Sequence, residues 1–464
     1  MKSYGWLKVA LLMGVILGWN LTAKAAVDSD GDEYQLRLIG QGNIVSADPA
    51  NIILAGTSLA SSFSLTVTHV AGDGLVNVAN LTTNGADLGI VSIDGDLGSL
   101  QIGRCYALEA DSIGAQNPAN SLLVEGWLRR LKVPNGIFNA ELTVEGDVNV
   151  CQIGSADNTG SFVSNSTIAI QGSVLLQLKL EQSLTNNSTL TIGGYATSID
   201  IVKSIADSTL QVTGSCPLLM VRGGITDGST VNISESANTV LLGRTVRDSQ
   251  VNVGNILKTC RIGALAGATL KAGTIDKLTI GDNVTDSSIN VTGNLSLMQV
   301  NAINGLTLRA GGSLGRLQVF HGVADSLISA YTAIGLVHII RDLENSSLIA
   351  GLDIGPDMIR DATDLKKGNC LIEKVTVLGE MVDSNIVAGI DAVGPDFRYG
   401  DGNDIPNDGD FGLSRIRNVH VLGDIRSNCL SGTSFTISAA DSVDTILSRG
   451  RPFTGAAGVS VNEL

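Results

Sequence analysis

Hydrophobic residues in the middle of the chain recur with a period of about 20 residues. Between residues 187 and 273, each repeat has a D/N/G-S pair, two apolar residues one position apart and a glycine. A second apolar pair and one further aliphatic residue complete it. The first apolar residue of successive repeats is Leu190, Leu210, Val231, Val251 and Leu270. Because alternate residues of a strand share one face, each pair predicts a short strand with both side chains inward.

The pattern predicts an all-β fold, a parallel β-helix or β-solenoid of about 14 turns with about 20 residues per turn. The turns are counted from Val91 to Ile386, with second strands beginning nine residues after the first, as at Leu100 after Val91. A third inward aliphatic residue gives each turn three corners. Glycine and the D/N/G-S pairs are expected at these corners, where the chain turns sharply.

The two ends of the chain depart from the repeat. Residues 1–25 are predicted to be a signal peptide and residues 27–80 an N-terminal β cap, with antiparallel strands at Gln35–Ile39 and Phe63–Val70. A cap would cover the open edge and core of the first turn. The solenoid is predicted over residues 81–430. The phase is lost after residue 430, so residues 431–464 are predicted to be a C-terminal cap or tail.

The N-terminal 25 residues have the three parts of an export signal. Lys2 is positive, Leu7 to Leu17 is apolar, and Ala23-Lys24-Ala25 fits a cleavage site. The alternative is an N-terminal membrane anchor. No later run reaches the 18 or so apolar residues that a membrane helix needs, so no transmembrane segment is expected after cleavage. The expected location is the cell surface, the extracellular medium or the periplasm.

Composition narrows the classes of partner. Acidic residues outnumber basic ones by 45 to 30, which disfavours nucleic acid because phosphate binding needs a basic stripe. Aromatic residues make up only 4% of the chain, which suits a narrow solenoid better than one wide core.

Six cysteines in an exported chain raise the question of disulfides. Cys151 and Cys260 fall at inward positions about five turns apart, more than about 20 Å, so they are expected to be core residues. Cys370 and Cys429 are a candidate pair near the C-terminal end. Cys105 and Cys216 have no evident partner.

Two acidic insertions interrupt the late turns, at residues 351–370 and 389–415. They begin alike, with AGLDIGPD and AGIDAVGPD, and each lies between a first and a second strand. They are therefore expected to emerge from the same corner of adjacent turns. Carboxylate and amide oxygens suit Ca²⁺, the one cofactor that the sequence suggests. The candidate ligands are Asp391, Asp396, Asp401, Asn403, Asp404, Asp408 and Asp410.

The alternative for this segment is a polar loop, because DGNDIPNDGD does not follow the EF-hand spacing. Two further acidic groups are candidates for the same cation, of which the N-terminal one is the shorter and weaker match. They are the first insertion, with Asp353, Asp357, Asp361 and Asp364, and the N-terminal set Asp28, Asp30 and Asp32.

The turns STLTIGGYATSIDIV, STLQVTGSCPLLMV and SQVNVGNILKTCRI follow the pattern SxLxVxGxxxxLxIG. In this pattern, over roughly residues 75–430, the chain resembles exported bacterial β-solenoid proteins of unassigned activity, in which Asp/Gly-rich late insertions also recur. The resemblance implies a surface or extracellular location and a scaffold or adhesive role.

Two functions follow from these observations. The first is a secreted or surface-associated structural or adhesive solenoid without catalytic activity, in contact with an extracellular polysaccharide or another component of the cell envelope. The second is a carbohydrate-active enzyme, a polysaccharide lyase or glycoside hydrolase, or a glycan-binding protein, acting at the acidic late loops. The first is favoured because the outward positions of the second strands contain no adjacent carboxylate pair. His338 and His420 share that face two turns apart, and solvated strand histidines are the expected interpretation.

Overall fold

The computed structural model describes residues 20–116, 120–157, 162–391, 405–406, 414–426, 435–439, 442–453 and 459–463. Over these residues the chain is an all-β parallel β-solenoid of about 13 turns with roughly 20 residues each, which confirms the predicted fold class. The chain divides into two compact units. Unit 1 comprises Met1–Gly223 and Ser229–Ser234, and unit 2 comprises Gly224–Gly228 and Glu235–Leu464.

Unit 1 begins with strands of mixed direction. Glu33–Gly40 pairs antiparallel with Asn20–Val27 and with Ser62–His69. Parallel pairing already starts within the same region, because Ser62–His69 and Val78–Thr82 both pair in parallel with Ile90–Ile102. The six N-terminal strands are Asn20–Val27, Glu33–Gly40, Asn43–Asp48, Asn51–Ala55, Ser62–His69 and Val78–Thr82.

The turns of unit 1 contain three strand series, here called first, second and third strands. Ile90–Ile102 contains parts of all three, and Cys105–Ile113 contains a second and a third strand. The other first strands are Asn120–Val124, Ala140–Val144, Thr167–Ile170, Thr189–Ile192, Thr209–Val212 and Thr230–Ile233. The other second strands are Leu128–Val133, Val148–Ile153, Val174–Leu180, Ser198–Ile201 and Leu218–Val221, and the other third strands are Gly136–Phe138, Phe162–Ser164, Leu184–Thr185 and Ile205–Ala206.

Unit 2 repeats the three series, and several of its strands run through a corner without a break. The long strands are Ala237–Arg247, Gln250–Ala266, Thr269–Thr285 and Leu295–Asn304. The separate first strands are Ser288–Val291, Thr307–Ala310, Leu327–Ala330, Ser347–Ala350, Asn385–Ala388, Phe435–Ala439 and Val459–Glu463. The separate second strands are Ser313–Val319, Ala333–Ile339, Leu371–Val377, Arg415–Val421 and Ser442–Ser448, and the third strands are Ile225–Thr226, Val323–Ala324, Leu343–Glu344, Met381–Val382 and Ile425–Arg426.

The predicted phase of the earliest repeat is wrong by one strand. Val91 pairs with Leu108, and Leu108 with Leu131, so Val91 belongs to the second-strand series. Leu100 pairs with Leu122 and is the first-strand residue. The sequence carries the signal for this, because Gly98-Ser99 stands directly before Leu100 as other D/N/G-S pairs stand before first strands.

The phase also continues beyond residue 430, contrary to the expectation that it is lost. Ile437 pairs with Ile386 in the first-strand series, and Ile446 pairs with Val419 in the second. Ile437 and Ile446 are buried, so the aliphatic stacking continues at these positions.

The corner glycines allow adjacent turns to approach closely. A Cβ added at Gly214 would lie 2.9 Å from the carbonyl oxygen of Gly194, and its φ is not positive. The left-handed backbone expected at sharp corners is found at some glycines, such as Gly154 with φ 88°, and also at Asp and Asn of the D/N/G-S pairs, such as Asp207 with φ 48° and Asn345 with φ 42°. These residue types tolerate that conformation better than other residues with a Cβ.

The serines of most D/N/G-S pairs form a buried hydrogen-bonded ladder. Ser326 Oγ accepts the N–H of Leu306 at 3.0 Å and donates to the carbonyl of Ala324 at 2.5 Å. The N–H of Ser326 donates in turn to Ser346 Oγ at 3.1 Å. In unit 1, the N–H of Ser166 donates to Ser188 in the same way. The buried serines of the D/N/G-S pairs are Ser166, Ser188, Ser208, Ser229, Ser249, Ser287, Ser326, Ser346 and Ser384.

We expect Ser326→Ala to destabilise unit 2 by about 1–3 kcal/mol, because it leaves the buried N–H of Leu306 without its acceptor. Chemical denaturation measures this effect. Ser296→Ala is the control, because Ser296 is exposed and its replacement should change stability by less than about 0.5 kcal/mol. Equal stability of the two variants would show that the ladder contributes nothing.

Candidate functional site

The two acidic insertions lie in unit 2 and start from equivalent positions on neighbouring turns. Ala350 pairs with Ala388 at the ends of two adjacent first strands, which confirms the predicted shared corner. Each insertion then forms a short antiparallel hairpin. The hairpins are Leu352–Asp353 with Leu365–Lys366, and Ile390–Asp391 with Ile405–Pro406.

An apolar cluster joins the insertions to the outer face of the first strands. Ile349 and Val387 occupy the outward positions of their strands and are nonetheless completely buried. They pack with Leu352, Ile354 and Ile390 from the insertions, and this set is here called the outer cluster. The insertions are therefore packed onto the solenoid surface. The sequence carried a signal that the prediction missed, since LIA and IVA place an aliphatic residue where earlier turns place Thr, Gln or Asn.

A buried ion pair lies in the same region. Arg309 donates from Nη2 to Asp353 Oδ2 at 2.9 Å, and its Nε donates to Asp353 Oδ1. Arg309 Nη1 also donates to Asn290 Oδ1 at 2.8 Å. The side chains of Arg309 and Asp353 are only 11% and 8% exposed. Asp353, a predicted candidate for the cation, is thus already neutralised by a guanidinium from the first-strand series.

Asp391 is the only member of the predicted seven-residue calcium set that lies within the described residues. Its carboxylate is 2.5 Å from Lys366 Nζ, so an ion pair joins the second insertion to the first. A calcium ion at Asp391 would compete with this lysine. Asp396, Asp401, Asn403, Asp404, Asp408 and Asp410 lie outside the described residues.

The remaining acidic residues of the first insertion surround Asp364. Burial raises the pKa of Asp364 to about 6. The hydrogen bond from the Asp361 N–H lowers that pKa, the negative charges of Asp361 and Asp357 raise it, and Arg360 lowers it. Burial is the largest of these influences, so the protonated form of this carboxyl persists to a higher pH than in an ordinary aspartate.

We expect the stability of the first insertion to fall as the pH rises from about 4 to about 6. The folded-state pKa of Asp364 lies above the ordinary aspartate value of 3.8, so the folded state binds more protons in this window. The stabilisation is complete below the unfolded pKa and is lost as the pH passes the folded pKa. Asp364→Asn, which keeps an oxygen acceptor for the Asp361 N–H, should flatten this dependence, as measured by hydrogen exchange of residues 351–370. An unchanged slope in that variant would contradict the assignment.

The N-terminal acidic set forms a compact group in unit 1. Carboxylate oxygens of Asp28, Asp30 and Asp32 lie within 4.8 Å of one another. Asp32 is fully buried and accepts N–H groups from Ala71 and Gly72 at 2.6 Å each. These backbone bonds, that of Gly72 first, lower the pKa of Asp32. The group brings three carboxylates together, and such oxygen ligands suit Ca²⁺. Backbone N–H groups already bind some of these oxygens.

A carboxyl pair that the sequence analysis missed lies on adjacent turns of unit 1. Asp94 and Asp111 directly follow Ile93 and Ala110, which are paired partners. Burial raises the pKa of Asp94. Burial and then the charge of Asp94 raise the pKa of Asp111, while Lys132 opposes this shift. The pair was missed because the misassigned phase of the Val91 repeat hid its register.

The histidines lie where they were predicted. His338 pairs with Thr376 and Thr376 with His420, so the two rings are two turns apart on the second strands. The outward amides of the first strands also follow the predicted register within each unit, as Gln211 pairs with Asn232 and Asn290 with Arg309.

The cysteines of unit 1 and Cys260 of unit 2 are core residues. Cys151 and Cys260 are completely buried, as predicted, and so are Cys105 and Cys216. Burial raises the pKa of each of these four thiols to about 12, so none is activated as a nucleophile. Cys370 is also buried, with Sγ 2.9 Å from the carbonyl of Lys367, while Cys429 lies outside the described residues.

Comparison with protein-family models, curated proteins and solved structures gives no match to this chain. Among the described residues there is no helix long and apolar enough to span a membrane.

Proposed function

We propose that this protein is an exported structural or adhesive solenoid that acts at the cell surface without catalytic activity. The observation that supports this is the pairing of the insertion carboxylates with cations in the late turns. Arg309 with Asp353 and Lys366 with Asp391 use the insertion carboxylates to hold the insertions in place. Carboxylates paired in this way hold the surface of the protein in one structure.

Fractionation of the source cells tests the proposal. We expect the protein in the surface or extracellular fraction, with an N-terminus beginning after Ala25, and sensitive to protease added to intact cells. Retention in the cytoplasm with an intact N-terminus would contradict export, and with it the surface role.

Calcium binding belongs to the same proposal, since a divalent cation would stiffen an acidic surface protein. Isothermal titration of the whole protein with Ca²⁺ alone tests it. Loss of the heat in Asp30→Asn would place the cation at the N-terminal group, whereas loss in Asp391→Asn would place it at the second insertion. No heat and no change in melting temperature at millimolar Ca²⁺ would remove calcium from the proposal.

A carbohydrate-active enzyme is the second candidate, and the raised carboxyl pKa values favour it. A carboxyl with a raised pKa can act as a general acid at a higher pH than an ordinary aspartate, and glycoside hydrolysis needs two carboxyl groups. Asp364 in the first insertion and the Asp94–Asp111 pair in unit 1 are the groups concerned. Product release from acidic polysaccharides that disappears in Asp364→Asn or in Asp111→Asn would favour this candidate, and no release from the wild type would remove it.

A further inference from the structure

Two aromatic rings and a guanidinium form a compact group on the outside of unit 1. Tyr106 and Trp127 have ring centroids 5.1 Å apart with an angle of 51° between their planes. The guanidinium carbon of Arg129 lies 5.1 Å from the centroid of each ring. These three residues are here called the aromatic platform.

The solenoid register fixes this arrangement. Leu128 pairs with Cys105 and Arg130 with Ala107, so Arg129 stands beside Tyr106 on the neighbouring turn. The N–H of Cys105 donates to the carbonyl of Trp127, which holds Trp127 at the corner. Three side chains on two adjacent turns are thus positioned by backbone pairing, and the platform exists before any ligand arrives.

The platform is open to solvent although its rings are apolar. Tyr106 is 39% exposed, Arg129 is exposed and Trp127 is partly buried. In a chain with only 4% aromatic residues, this exposure is not needed to fill the core. Exposed faces of Tyr and Trp provide flat contact surfaces with a polar atom at the edge, which suits the C–H faces of a sugar ring.

The charge around the platform indicates the chemical class of sugar that would bind there. Arg104 is paired with Asp87 at 2.6 Å, and Arg130 with Glu109 at 3.3 Å. Among the described residues no carboxylate pairs with Arg129, although the chain has a net charge of −15. A guanidinium over two rings retains N–H donors that match a carboxylate in bidentate geometry. One unpaired cation is too little for a nucleic-acid backbone, which needs a basic stripe.

We propose that the aromatic platform of Tyr106, Trp127 and Arg129 binds a uronate-containing glycan, with a sugar face on the rings and a carboxylate on Arg129. The site is separate from the late insertions and needs no metal. The inference does not depend on the surface role proposed above, since the binding would hold for a structural protein or for an enzyme.

Titration of the whole protein with three uronate polymers, polygalacturonate, alginate and hyaluronate, tests the proposal. Each polymer is compared with the same polymer after reduction of its carboxyl groups. We expect at least one uronate polymer to bind, and its neutral counterpart to bind about tenfold more weakly or not at all. Trp127 is the only tryptophan after residue 19, so its fluorescence should change on binding and the change should disappear in Trp127→Phe.

Variants separate this site from other surfaces. Arg129→Gln should weaken uronate binding about tenfold and leave any residual binding of the neutral polymer unchanged, because only the carboxylate contact is lost. Phe320→Ala is the control, since Phe320 is an exposed ring of unit 2, 48% exposed, outside the platform. Thermal melting of each variant checks that it is folded.

Three outcomes would overturn the proposal: no uronate polymer binds, the neutral polymers bind equally well, or Phe320→Ala weakens binding as much as Arg129→Gln. Binding of single-stranded DNA in preference to every glycan would also overturn it, because stacked bases would then be the ligand of the rings.

Discussion

Val240→Asp should unfold several turns of unit 2 and lower its stability by more than about 4 kcal/mol, beyond the usual range of single substitutions. Val240 is completely buried and pairs with Cys260, itself completely buried, on the adjacent turn. The new carboxylate would have no partner in this aliphatic column, and an unpaired buried charge is among the most costly changes a protein can carry. Since each turn is stabilised mainly by its neighbours, the damage should spread along the stack.

Hydrogen exchange and thermal melting together measure this effect. Protection should be lost over Gln250–Ala266, the strand that pairs with Ala237–Arg247. Asn238→Asp is the matched control, because it adds the same charge at an exposed position two residues away. If Val240→Asp melted within about two degrees of the wild type, the inward assignment of Val240 would be wrong.

Removing one partner of the buried ion pair should detach the first insertion. In Arg309→Met, the carboxylate of Asp353 remains buried without its cation, and Asp353→Ala leaves the guanidinium of Arg309 in the same position. Each single variant should lose about 3–5 kcal/mol of local stability. The double variant Arg309→Met/Asp353→Leu should lose less than either single variant, because no buried charge remains. Hydrogen exchange and limited proteolysis of residues 351–370 measure the outcome.

An exposed ion pair of unit 2 supplies the control for that series. Arg417 Nη1 and Glu373 Oε2 are 2.8 Å apart, and the two side chains are 47% and 39% exposed. Glu373→Ala should cost less than about 1 kcal/mol, since solvent screens the pair. If the double variant of Arg309 and Asp353 were less stable than both single variants, the ion pair itself would stabilise the insertion. The cost of the single variants would then not come from the charge left unpaired.

The repeat could be predicted from the sequence because every turn needs the same inward aliphatic residues, so the same signal occurs many times. Residues such as Leu190 and Leu210 recur at one phase, since paired residues on adjacent turns must fill the same inward column. Where one signal is missing the prediction fails. The apolar pairs of the Val91 repeat alone predict the wrong phase, and the Gly98-Ser99 corner contradicts that phase.

The candidate site was less predictable because it depends on contacts between distant segments. Acidic composition indicated a cation, but Asp353 and Asp391 meet Arg309 and Lys366 only when the insertions fold back. The partner of Asp353 lies 44 positions away, a separation that no local pattern encodes. The aromatic platform is likewise formed by register, since Tyr106 and Arg129 become neighbours only across two adjacent turns.

The serine ladder makes consecutive serine-bearing turns interchangeable cassettes. In these turns a serine hydroxyl caps its own corner and also receives the amide of the turn before it, so the bond between two such turns has the same donor and acceptor. Loss or duplication of one cassette within such a run would rejoin like with like. A gene of this kind can therefore lengthen or shorten the solenoid by whole turns without further substitutions in the adjoining turns.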